Sequence, residues 1–261
     1  MLTDHLPAIG LYGSIEVALM VLINYLVAPE ALKGRARTGF INNVTSLPLA
    51  VFLAGSAALG VVHTYGSAQE RWFGSSQTTF FFLELYVAHN IVSLVIELSG
   101  ATSFSAVVPM VAHHVLSIAA YSGGLLTHRM HFYACLDGMC ETTNLFLNPF
   151  LLSRTEAGVG ERVASTFGSM LLVNNCLLWL SFLIFRLCLF PTWLALFAVD
   201  VRAMFVDRSV SVAGQEALTW FELLFYPAVT LFLLVLSTIW FVKLTKGALK
   251  SLKEMRKAKG S

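Results

Sequence analysis

The sequence predicts an all-α polytopic bundle of transmembrane helices. Only 12% of its 261 residues are charged, 57% are hydrophobic, and the mean hydropathy is +0.74. A soluble domain is about a quarter charged. The chain has too few polar residues to coat itself, so lipid must face most of its surface. Apolar runs of spanning length recur, and none shows the alternation of a strand. Backbone groups in lipid must be satisfied within their own segment, so these runs are helices.

Candidate spans lie near 9–28, 43–63, 78–98, 105–122, 127–150, 165–189 and 218–242. The first begins after MLTDHLP, which has no basic flank, so it reads as a retained helix and not a signal peptide. An eighth stretch, 190–206, is interrupted by Asp200 and Arg202 and reads as a re-entrant or interfacial segment. Lys33, Arg35 and Arg37 follow the first span, Arg154 and Arg162 follow the fifth, and a lysine-rich tail follows the last. All three fall on one side if about seven helices cross. By the positive-inside rule that side is the cytosol, which receives the C-terminus. The tail ends with Lys257 and Lys259, third and fifth from the end in reverse order, a pattern that resembles a dilysine retrieval signal of the endoplasmic reticulum. The chain divides into an N-terminal segment with the first helix (1–39), a membrane domain (40–245) and a basic tail (246–261).

A net charge of +2 gives no basis for nucleic-acid binding. Cys135, Cys140, Cys176 and Cys188 show no CxxC spacing, so neither a disulfide framework nor a zinc site is indicated. Histidines at i and i+1 cannot both ligate from one helix face, and no metal or bound cofactor is expected.

Function is therefore sought among buried polar residues, since ionisable groups in a membrane are costly. Span 78–98 carries Tyr86, Asn90, Ser93 and Glu97 at spacings that share one helix face, with Glu84 and His89 off it. Span 127–150 carries Asp137, Glu141, Asn144 and Asn148 at the same spacing. Between them lie His113 and His114, the latter sharing a face with Ser117 and Tyr121. A neutral imidazole can act as general base or as nucleophile toward an acyl group. A carboxylate at Asp137 or Glu141 would orient it. Interhelical adhesion is the other use of such residues, and Glu16 and Asn24 in the first span are read that way.

The run Val111, Ala112, His113, His114, Val115, Leu116, Ser117, followed by the polar stripe Asp137, Glu141, Asn144 and Asn148, resembles the TLC domain. That family includes ceramide synthases, translocon-associated TRAM proteins and other proteins tied to membrane lipid composition. The resemblance covers about 40–245. It implies a seven-helix bundle around a lipid-accessible cavity. His113 or His114 would accept or activate an acyl group, assisted by Asp137 and Glu141. Tyr86, Asn90, Glu97, Ser117, Asn144 and Asn148 would line the substrate. Synthases of the family carry a His-Asp pair where this chain has Tyr133 and Ala134, and a Lys where it has Asn144. The segment from Glu141 to Asn148 is closer to the non-synthase members, with Leu145 in place of their Pro.

The resemblance implies an acyltransferase that moves a fatty acyl group from acyl-CoA, as co-substrate, to a lipid amine or hydroxyl. Equally it implies a non-catalytic protein that binds lipid and influences membrane composition. A protein-escort role is the third reading, and the short loops weigh against it.

Overall fold

A computed structural model describes residues 2–99, 104–155, 158–207 and 216–259. Its helices are α1 (Leu2–Leu26), α2 (Gly34–Thr64), α3 (Ala68–Phe73), α4 (Gln77–Ser99), α5 (Phe104–Thr127), α6 (His131–Gly138), α7 (Asn144–Leu152), α8 (Val159–Phe182), α9 (Leu189–Phe205) and α10 (Glu216–Lys259). No strand occurs among the described residues. Gly260 and Ser261, which close the tail motif, lie outside them.

Five runs are long and apolar enough to cross a membrane: Leu2–Leu26, Gly34–Thr64, Gln77–Ser99, Ser165–Phe205 and Leu218–Lys250. The chain is thus a multi-pass membrane protein. Two further segments, α5 and the α6–α7 run, have spanning length but carry the polar residues singled out above. Side-chain pairs fix the directions. His5 meets Glu84 and Glu16 meets His89, so α1 and α4 run parallel. Asn90 meets His114, and Gly124 lies against Leu83, so α4 and α5 run antiparallel. The Tyr226 hydroxyl donates to Ala120, while Trp240 lies by His113, so α5 and α10 are antiparallel too. Helix directions therefore alternate as an odd number of passes requires.

One end of the bundle, which holds the N-terminus, is tied by buried charges. Asp200 accepts from the Arg71 guanidinium and from the Tyr133 hydroxyl. Arg129 pairs with Glu222 at 2.7 Å, and the Trp72 indole donates to the same carboxylate at 3.1 Å. The short α3 is held there by a capping box between Ser67 and Glu70. Hydrogen bonds from Ser67 hold the Glu70 carboxyl below its usual range.

Two departures from the sequence expectation matter. Residues 190–206 are not a re-entrant or interfacial segment. They continue α8 directly through the π-helical segment Leu183–Cys188. Asp200, which seemed to interrupt the run, is instead satisfied by Arg71 and Tyr133 at the bundle end. The expected span 127–150 begins at His131 and is broken by a 3₁₀ turn, Met139–Thr143. In that turn the Thr143 hydroxyl donates to the Cys140 carbonyl at 2.8 Å. At three residues per turn Cys140 and Thr143 share a face, and both are buried.

Small residues let the helices approach closely. The Phe82 ring lies against Gly138, where a Cβ would collide with it. We expect Gly138→Ala to destabilise the bundle by about 1–3 kcal/mol through overpacking. Thermal unfolding in a fixed detergent checks this, and Phe82→Leu in the same chain should recover part of the loss.

Candidate functional site

Three neighbouring elements bring the predicted residues together midway along the bundle. From α4, Tyr86, Asn90 and Ser93 are buried on one face. The Asn90 side-chain amide donates to the Tyr86 carbonyl at 2.8 Å, one turn back. That bond fixes which end of the amide is which, so Oδ1 faces α5. There it meets His114 Nδ1 at 2.9 Å. A carbonyl oxygen only accepts, so Nδ1 carries the proton, and Nε2 of the neutral ring keeps its lone pair. The place expected for a carboxylate beside the histidine is taken by Asn90.

The carboxylates bond elsewhere. Asp137 accepts from the Tyr121 hydroxyl at 3.0 Å. Glu141 accepts from Tyr86 at 3.1 Å and from the Asn144 amide at 2.5 Å. The Tyr86 and Tyr121 rings pack with centroids 4.3 Å apart, so the two tyrosine–carboxylate pairs form one cluster. Adjacent residues on a helix point about 100° apart, and His113 accordingly leaves the Asn90 contact to His114. Its ring sits 5.1 Å from that of His114 and 6.5 Å from Trp240, and its buried Nδ1 has no hydrogen-bond partner among the described residues. Ser117 is buried on the α5 face between His114 and Tyr121.

Two predicted residues stand apart. Glu97 is half-exposed near the end of α4, with no hydrogen bond among the described residues. Asn148 is buried on α7, and its amide nitrogen is likewise unpaired there. Off the stripe, Glu84 and His89 dock α1: His5 Nδ1 lies 2.7 Å from Glu84, and His89 Nδ1 lies 2.9 Å from Glu16. The Asn24 side chain accepts from Arg37 at 2.7 Å, closing the α1–α2 connection. No group of three or more metal-ligating side chains occurs among the described residues.

Arg186 was not singled out from the sequence. It is 6% exposed, on the π-helical segment, with Nε donating to the Thr143 hydroxyl at 3.0 Å. Its guanidinium lies 5.0 Å from the centre of the Phe182 ring and 5.9 Å from that of Trp240. A lone arginine within a long apolar run is the signal that marks it. A small, partly open pocket beside Asp137 measures about 20 Å³, the room of one water, and is lined also by Tyr121, Tyr226 and Thr230. A larger open groove of about 380 Å³ runs along the outer face of α8, past Met170 and Asn174.

A family model for the TLC domain matches residues 40–246. The chain belongs to the TLC-domain family. No curated protein and no solved structure matches it. The matched region begins within α2, so α1 lies outside the TLC domain. The polar cluster and Arg186 lie within it.

Proposed function

We propose that this TLC-domain protein acts on membrane lipid at its buried histidine pair, transferring a fatty acyl group from acyl-CoA to a lipid amine or hydroxyl. The observation that carries this reading is the state of the two rings. Among the described residues, His114 is held by Asn90 with its Nε2 lone pair unspent, and His113 has a buried nitrogen without a partner. His131, by contrast, has both ring nitrogens engaged, one with Thr79 and one with the Gly124 carbonyl.

The chemistry follows in two steps. A ring nitrogen attacks the thioester carbonyl, the C–S bond breaks, and the leaving thiolate takes the proton that the acylated ring gives up. An acyl-imidazole remains. The lipid amine or hydroxyl then attacks it, forming amide or ester, and its proton returns by way of a cluster base to the released ring, which restores the neutral imidazole. Asp137 lies on the same cluster and has one buried oxygen without a partner among the described residues. The Lys- and Arg-rich segments after the first, fifth and last spans support a cytosolic side for the tail.

A second reading is favoured by a specific observation. Both carboxylates are capped by tyrosines, and the small pocket beside Asp137 holds little more than a water. That suits a non-catalytic protein that binds lipid and influences membrane composition. The two readings part in one experiment. Purified full-length protein is mixed with labelled acyl-CoA and acceptor lipids, quenched and measured by intact mass. Transfer predicts one acyl addition, mapped to His113 or His114 and discharged by acceptor. Stable lipid binding with no covalent addition and no product rejects transfer and leaves the second reading.

A further inference from the structure

Arg186 places a cation inside the membrane with no carboxylate in ion-pair contact among the described residues. Such a charge is expensive in lipid. Its Nε is spent on Thr143, and its two terminal nitrogens have no hydrogen-bond partner among the described residues. Phe182 and Trp240 hold it by their rings. Two further buried polar atoms around Trp240 lack partners among the described residues: His113 Nδ1, beside Trp240, and the Ser237 hydroxyl, one turn before Trp240 on the same α10 face. A cationic fork and a hydroxyl are donors, and an imidazole donates through one nitrogen. Together they match an oxyanion.

Depth narrows the source. Fourteen residues separate Arg186 from Asp200 at the bundle end, about 21 Å of helix. In a core about 30 Å thick, Arg186 then lies roughly a third of the way in from the opposite face, the side of the basic tail. A lipid of that leaflet could lower its head to it.

We propose that Arg186, with Ser237 and His113, binds the anionic head of a membrane lipid, a carboxylate or a phosphate drawn in from the tail-side leaflet. This rests on the lipid reading of the site and not on acyl transfer. The alternative is that Arg186 only balances the charge of Asp137 and Glu141.

The test uses full-length protein in neutral nanodiscs. Three single-chain lipids of equal length are compared by competition: a fatty acid, a lysolipid phosphomonoester and an uncharged monoacylglycerol. We expect an anionic lipid to bind about tenfold or more tighter than the uncharged one. Whichever anionic arm wins names the head group. Arg186→Gln should bring the ratio to about one while leaving the uncharged lipid unchanged. A wild-type ratio near one, or a folded Arg186→Gln variant that keeps the preference, overturns the proposal. If that variant does not fold, a photoreactive group beside the anionic head decides on wild type. Crosslinks to the Phe182–Arg186 or Ser237–Trp240 peptides support the proposal, and crosslinks only elsewhere refute it. Head-group preference without turnover keeps this inference and removes transfer, and turnover without preference does the reverse.

Discussion

Replacing Asp200 with alanine is expected to cost about 3–5 kcal/mol of stability, because it strands a charge at a buried site. Asp200 is fully buried and joins three elements. Arg71 of α3 donates to both its oxygens, and Tyr133 of α6 donates at 2.5 Å, while Asp200 itself belongs to α9. Removing it leaves Arg71, only 12% exposed at its side chain, beside an apolar gap under Trp72, Trp193 and Phe197. For a chain of this size the unfolding temperature should fall by roughly 6–20 °C in one detergent. The double variant with Arg71→Ala should lose less than Asp200→Ala alone, since no lone charge remains. A fall under about 1 kcal/mol would show that solvent reaches Arg71 and that the network is superficial.

The second large effect falls on chemistry. Asn90→Ala is expected to lower acyl turnover about 100-fold, chiefly in kcat, because the ring it orients can rotate and exchange tautomer. No lipid contact need be lost, so KM should stay near its wild-type value. Asn90→Asp keeps an acceptor at Oδ1 and should recover part of the rate. It cannot donate to the Tyr86 carbonyl when ionised, so recovery should be incomplete. A variant with wild-type kcat would make His114 an adhesion residue.

Much of this was legible before the structure. Low charge and repeated apolar runs fixed the class, and the odd alternation of basic segments matches the helix directions. The equal spacing of Tyr86 to Ser93 and of Asp137 to Asn144 located two walls of one polar cluster. Pairings were not legible. Spacing along a helix gives a face but not the neighbour across it, so Asn90 could not be assigned to His114, nor the tyrosines to the carboxylates. The 3₁₀ turn and the π-helical segment left no mark in the hydropathy pattern. Each changes residues per turn, and so decides what Thr143 and Arg186 face. Asp200 misled for a related reason. Its partner Arg71 lies 129 residues away, and a buried pair then looks like a break in an apolar run.

The central claim is that the buried histidines perform the chemistry. It is tested most directly by turnover of labelled acyl-CoA in purified protein carrying both His113→Ala and His114→Ala. Thermal unfolding of the double variant confirms that it is folded. The account predicts wild-type transfer of label to an acceptor lipid and a loss of at least about 100-fold in the folded double variant. Transfer at the wild-type rate in that variant would contradict it.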